Sequence, residues 1–238
     1  MNAEHSALKQ IPLQFGKFQQ IEFETFLTET KTELLELIRK IASGEETQHL
    51  YLWGATATGK SHLLQAACKL AGQAQRQVAY IPLEQIHEFK PEMLHDLGML
   101  NLVCVDSLEC VSESIEWQQT LVWLYNELRD NGHSMIIAGN ASSANIDLSI
   151  EDLRSRLNWG LVFQLDIPSD EQKIVILKQL AKKSGFEFPD EVAQYLIQRV
   201  ERDLHSLVKI LNRIDEYSLA EKRKITVPLV RKMLESSL

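Results

Sequence analysis

Apolar positions along this chain follow two rhythms. Leu34, Leu35, Ile38 and Ile41 recur at helical spacing, which predicts an amphipathic helix over 29 to about 43 with Gly44 as its stop. Short apolar runs then follow at 49–53, 77–83, 100–106 and 133–140, each of strand length, with a further one at 161–163. Helical patterns separate them: Leu63, Leu64, Ala67, Cys68 and Ala71 form one, and Trp117, Leu121, Leu124, Tyr125 and Leu128, within 115–130, form another. Strands alternating with helices predict an α/β fold, a parallel sheet flanked by helices. Beyond Asp166-Ile167-Pro168-Ser169-Asp170 the strand rhythm stops, because Pro168 cannot continue strand pairing. Four helical patterns remain: 169–184, with Ile174, Leu177, Leu180 and Ala181 apolar; 190–199, opened by Pro189; 203 to about 219; and one opened by Pro228. The expected division is an N-terminal arm over 1–19, an α/β domain over 20–166 and a small all-helical domain over 167–238.

Chemistry concentrates at Leu50-Tyr51-Leu52-Trp53-Gly54-Ala55-Thr56-Ala57-Thr58-Gly59-Lys60-Ser61-His62, a strand, a G-x-x-x-x-G-K-S turn and a helix start. A turn this tight points successive main-chain N–H groups into one concavity at the positive end of a helix, where a polyphosphate fits. The segment from Gly54 through Ala55, Thr56, Ala57, Thr58, Gly59, Lys60, Ser61 and His62 is therefore the expected nucleotide cradle. Lys60 would reach the outer phosphates and Ser61 would ligate Mg²⁺. Asp106 closes an apolar strand; such an aspartate is commonly a helix cap, but its spacing after the phosphate loop makes it the second expected Mg²⁺ ligand. Ser107 follows, where many such ATPases carry a second acid, so intrinsic hydrolysis should be weak unless Glu109 substitutes. Asn140, at the end of the next strand, would orient a water or read the outermost phosphate, or else serves as a turn residue. Phe23 to Phe26 would wall the base.

Two arginines, Arg154 and Arg156, precede the strand at 161–163. In a P-loop oligomer an arginine here points out of its own subunit toward a neighbour's γ-phosphate. Arg156 is the better candidate, because Leu157 and Trp159 would lock that end of the segment. At the other terminus Gln10-Ile11-Pro12-Leu13-Gln14-Phe15 is held extended by Pro12. Leu13 and Phe15 then offer apolar knobs beside Gln10, either to a partner or to the chain's own domain.

Composition narrows this picture in three ways. With 238 residues, 45% of them hydrophobic, the chain can bury a full core. A net charge of −8 argues against direct coating of nucleic acid, which depends on neutralising phosphates. No apolar run is long enough for a membrane span and no signal-peptide pattern opens the sequence, so a cytoplasmic location without membrane contact is expected. Cys68, Cys104 and Cys110 lack metal-site spacing and are expected to be small buried hydrophobes.

Together these residues resemble the AAA+ ATPases, P-loop NTPases with a helical lid, and within them the bacterial initiator DnaA. Ser155-Arg156-Leu157-Asn158-Trp159-Gly160 is similar to the initiator's S-R-F-G-W-G segment, and Gln10, Leu13 and Phe15 match Q-x-x-L-x-F, the motif that resembles bacterial ligands of the DNA sliding clamp. DnaA-like initiators continue into a helix-turn-helix domain, whereas this sequence ends soon after Arg231-Lys232-Met233-Leu234-Glu235. A DnaA-like core with a clamp motif resembles the Hda family. The resemblance implies a negative regulator of replication initiation that docks on the clamp (the DNA polymerase III beta subunit). It would stimulate ATP hydrolysis by the partner DnaA through Arg156 as an arginine finger. It also implies bound ADP or another nucleoside diphosphate (ATP remaining open) with Mg²⁺, contact with DNA only through the clamp, and a homo-oligomer as one arrangement. Aligning Leu211-Asn212-Arg213-Ile214 with the family's L-N-R-V puts His205 where a sensor arginine usually stands, with Arg202 about a turn away. Histidine is shorter and mostly neutral, so its hold on a γ-phosphate should be weaker. The alternatives are a self-standing ATPase and a DNA-associated adaptor resembling a helicase loader.

Overall fold

A computed structural model describes residues 32–200, 204–221 and 223–235. The proposed docking residues Gln10, Leu13 and Phe15, the aromatics Phe23 and Phe26, and Arg202 lie outside the described residues. The first helix, α1 (Thr32–Ser43), buries Leu35, Ile38 and Ile41 completely or nearly so and leads into β1 (His49–Trp53). The loop beyond β1 runs into α2 (Lys60–Gln73), and β2 (Val78–Pro82) follows. Two 3₁₀ segments, Leu83–Glu88 and Pro91–Leu97, occupy what the sequence left as a connection, and they return the chain to β3 (Leu102–Asp106). A third 3₁₀ turn, Leu108–Val111, precedes α3 (Ile115–Asp130) and β4 (Ser134–Gly139).

The next element differs from expectation. Arg154 and Arg156 sit on a seven-residue helix, α4 (Glu151–Leu157), before β5 (Leu161–Gln164). Leu153 and Leu157 are the buried residues of that helix; its polar remainder leaves too short an apolar stripe to announce a helical period.

The five strands are all parallel, in the order β2-β3-β4-β1-β5. β1 and β4 pair from His49 with Met135 to Trp53 with Gly139, so both finish at the same edge. Apolar clusters cover both faces, one joining α1 and α2 to the sheet and the other joining α3 and α4 to it, as a parallel sheet requires. β5 is an edge strand, with Leu161 and Val162 exposed.

Among the described residues four helices follow: α5 (Asp170–Lys183), α6 (Asp190–Arg199), α7 (Leu204–Glu221) and α8 (Val227–Glu235). They share an apolar cluster of their own, which includes Leu177, Leu196, Leu211 and Val230. α5 begins with a reciprocal cap: the Gln172 N–H donates to Ser169 Oγ, and the Ser169 N–H donates to Gln172 Oε1. Among the described residues no helix is long and apolar enough to cross a membrane.

Candidate functional site

The loop between β1 and α2 is built by two close approaches. The Gly54 N–H donates to Gly139 O on β4 at 3.2 Å, and a Cβ on Gly54 would lie 2.2 Å from the Leu165 carbonyl oxygen. Gly59 then takes a left-handed conformation (φ 95°) and starts α2, whose first turn closes with the Leu63 N–H on Gly59 O. The N–H groups at the start of α2, from Lys60 to His62, precede that closure and stand at the positive end of the helix dipole. Ala57 is also left-handed (φ 65°) although it carries a Cβ.

Lys60 is buried, and its ammonium donates to Gly54 O at 2.6 Å and Ala55 O at 2.9 Å. Burial lowers its pKa, while the carboxylates of Glu109 and then Asp106 push it back up. A cation folded over its own loop, with acid charges nearby, is the donor set that a phosphate would meet. The residues therefore fit an anionic phosphate ligand with a divalent cation. Ser61, in the first turn of α2, and Asp106 would hold that cation.

Asp106 is buried at the end of β3, where Tyr80 donates to its Oδ2 at 2.6 Å and the Ser107 N–H to its Oδ1 at 3.0 Å. Burial, the carboxylate's charge and this hydrogen bond together push the Tyr80 phenol well above its ordinary pKa. Ser107 is left-handed (φ 61°) and donates to Glu84 Oε1 at 3.0 Å. Glu109 Oε2 accepts from the Asn140 N–H at 3.0 Å, so the structure brings Glu109, Asn140 and the loop together. The Asn140 side chain is exposed, directly after the strand that borders β1 and β3. Tyr80 and Glu84 escaped the sequence reading. Tyr80 pairs with Cys104 in the β2–β3 register, and period-2 alternation then puts it on the face of Asp106; only that register shows it.

Arg156 lies at the opposite edge of the sheet. Its Nε donates to Asn126 Oδ1 at 2.9 Å, its Nη1 pairs with Asp152, and its guanidinium stacks 4.9 Å from the Trp159 ring centroid. Arg129 shares the same ring at 5.4 Å. The Arg156 side chain is 11% exposed, so it rests against its own subunit and does not project freely. Trp159, expected to lock the segment, is itself 57% exposed and supplies only a ring face. Arg154 donates to Leu148 O at 2.6 Å, which ties it to the loop before α4. Beneath this cluster His49 stacks on Tyr125 at 4.3 Å, and neither of its buried ring nitrogens meets a hydrogen-bond partner. Cys68 and Cys104 are buried, but Cys110, expected to be buried, is exposed on the 3₁₀ turn after β3. His205 falls on α7, and its side chain lies outside the described residues.

Comparison with known proteins resolves what this sheet order and loop belong to. Residues 18–164 match the model of the bacterial DnaA ATPase domain. The chain belongs to the DnaA ATPase family. Its last helices, over 170–234, match the lid domain of Hda, which makes this an Hda/DnaA-related AAA+ protein of replication-initiation control. Domain III of the DnaA from Thermotoga maritima is similar, with a TM-score of 0.77 at 20% identity over 91% of this chain and 96% of that one. AMPPCP-bound DnaA from Aquifex aeolicus has a TM-score of 0.67 at 20% identity, over 80% of this chain and 64% of that one. The RuvB Holliday junction branch migration motor of Thermotoga maritima reaches 0.69 at 18% identity, over 92% and 72%. At such identities the likeness to solved structures carries the fold alone, a DnaA-type parallel sheet with its phosphate loop.

Two predictions come from this geometry. Ala57→Gly removes a left-handed strain of roughly 1–2 kcal/mol, against a loss of about 0.5–1 kcal/mol to chain entropy, so urea unfolding should show a gain of up to about 1.5 kcal/mol at unchanged m-value. His49 is held neutral: burial, then the Arg129 charge, lowers its pKa from 6.5 to about 4. The unfolded chain therefore takes up this proton first as pH falls, and stability is lost between about pH 6.5 and 4. His49→Phe should flatten that part of the unfolding free-energy profile by up to about 3 kcal/mol, measured as a difference between the two proteins across the window.

Proposed function

We propose that this DnaA-family protein is a negative regulator of replication initiation that acts on a partner's nucleotide. It docks on the sliding clamp through Gln10, Leu13 and Phe15, retains ADP with Mg²⁺, and presents Arg156 to ATP bound by the initiator DnaA. The observation that carries this reading is the separation of the two centres. β1 runs from the level of Arg156 toward the phosphate loop: Leu161, two residues beyond Trp159, pairs with Leu50, and the loop leaves after Trp53. Three strand steps, about 10 Å, separate those levels, which supports a role for Arg156 away from the phosphates of its own loop.

Nucleotide binding draws support from the loop itself and from the AMPPCP-bound relative in Aquifex aeolicus. When bound, Mg²⁺ would neutralise phosphate charge. The chain's own residues then hold the ligand: Lys60 turns from the Gly54 and Ala55 carbonyls toward the phosphates, Ser61 and Asp106 face the cation, and Tyr80 keeps Asp106 oriented. Asn140 and His205 would sense the terminal phosphate weakly. Because Ser107 offers no carboxylate where related ATPases have their second acid, the chain's own turnover is low and a diphosphate state persists. On the partner, the Arg156 guanidinium exchanges Asp152 and Asn126 for γ-phosphate oxygens and stabilises the charge that develops in hydrolysis. Self-association through the same faces would hide Arg156 in a resting homo-oligomer.

Arg156→Ala should leave nucleotide affinity unchanged and reduce clamp-dependent stimulation of DnaA's ATPase by roughly 10³- to 10⁵-fold relative to a full arginine-finger effect. Unchanged phosphate release in that assay rejects the assignment. Substituting Gln10, Leu13 and Phe15 together by alanine should abolish co-elution with purified clamp, and equal co-elution of both forms refutes the docking role.

A further inference from the structure

One peptide group connects the phosphate loop to Glu109, an acid that the proposed function does not use. The carbonyl of Gly139 accepts from the Gly54 N–H at 3.2 Å, and the N–H of the same peptide unit, on Asn140, donates to Glu109 Oε2 at 3.0 Å. The Glu109 carboxylate thus stands one peptide unit from the first glycine of the loop. Its placement is fixed from below. Ser107 turns left-handed directly after Asp106, and Leu108 and Val111, both fully buried, anchor the 3₁₀ turn between them so that Glu109 is aimed across the end of β4. The Gly54 carbonyl in turn accepts from the Lys60 ammonium at 2.6 Å, so a short chain of hydrogen bonds runs from Glu109 through the Gly139–Asn140 peptide and Gly54 to Lys60.

Resting on the nucleotide-binding reading above, we infer that Glu109 is a specificity-determining residue: its carboxylate faces the terminal-phosphate end of the loop and selects a nucleoside diphosphate over a triphosphate. A diphosphate ends at Lys60 and leaves the Glu109–Asn140 hydrogen bond intact. A triphosphate extends its most charged group toward a carboxylate that is already fixed, and like charges at that range repel. Asp106 does not play this part, because both of its oxygens are engaged, by Tyr80 and by the Ser107 N–H, at the cation position. A role for Glu109 as the base that polarises water is the competing account. It would use the other carboxylate oxygen, and it predicts a loss of turnover without a change in binding preference.

The test measures affinities of the full chain for ADP and for AMPPCP with Mg²⁺ by calorimetry, in the unmodified protein, Glu109→Gln and Glu109→Ala. Glu109→Gln keeps size and the acceptor oxygen while removing charge, so its ADP affinity also reports that the site has folded. The expected result is a preference for ADP in the unmodified chain and about tenfold or greater tightening for AMPPCP in both variants, with ADP affinity within about twofold. An ADP-to-AMPPCP ratio unchanged by either variant overturns the inference. So does an unchanged ratio accompanied by lost ATP turnover, which assigns Glu109 as a base instead. If the unmodified chain binds neither nucleotide, the phosphate-loop reading falls first and this inference with it, a pattern distinct from normal ADP binding with an unaltered ratio.

Discussion

Gly54 is the residue at which three strands converge. As the chain leaves β1, its N–H is fixed by Gly139 of β4 on one side while the Leu165 carbonyl, just past β5, presses against its α-carbon on the other. Leu165 is itself held by donating to Trp53 O at 2.7 Å. A side chain at this position would meet main chain, which cannot swing away as a flexible side chain can, and would part the strand ends. The phosphate loop, the Lys60 contact with the Gly54 carbonyl and the route from β5 into α5 all start from this close approach. Its consequence is local rigidity beneath a loop that must offer its amides in a fixed concavity.

The sheet therefore has two chemically different edges. At the carboxyl edge, Lys60 is surrounded by loop carbonyls and by the charges of Asp106 and Glu109, an arrangement suited to a polyphosphate and a cation. At the amino edge, Arg156 and Arg129 share the exposed Trp159 above a partly buried, neutral His49. On the proposed reading, a phosphate loop at one edge and a guanidinium at the other suit head-to-tail contact with a DnaA partner, in which the guanidinium would meet the partner's loop and not its own.

Much of this was legible in the sequence because it is encoded locally. The glycine spacing at Gly54 and Gly59 and the apolar run before Asp106 need no knowledge of neighbours. The helix over 115–130 matched its periodic signal residue by residue, and the helical pattern over 169–184 became α5 with Ser169 as its cap. What escaped depends on register or on short range. α4 is too brief for its period to emerge, so Arg154 and Arg156 read as a lead into a strand. Tyr80 becomes a partner of Asp106 only once β2 lies beside β3, and Glu109 reaches the loop only through a peptide unit contributed by β4. Cys110 sat next to an apolar strand in sequence, yet it falls on the exposed side of the turn that the left-handed Ser107 creates.

The resting position of Arg156 raises a question of magnitude. Its carboxylate partner, Asp152, is 53% exposed, and an ion pair of that kind contributes roughly 0–1 kcal/mol after solvent screening. Stacking on an exposed ring adds about 0.5–1 kcal/mol, and the Asn126 hydrogen bond about 1 kcal/mol. Leaving all three therefore costs about 1.5–3 kcal/mol. An arginine acting on a phosphoryl transition state contributes roughly 10³ to 10⁵ in rate, equivalent to about 4–7 kcal/mol. For the proposed arginine-finger role the exchange would remain favourable, with its margin largest where charge develops most. A docked partner bearing only a diphosphate would offer no such gain, so on that reading the guanidinium would return to Asp152 and Asn126 once hydrolysis is complete. The modest strength of these resting contacts is compatible with such a cycle.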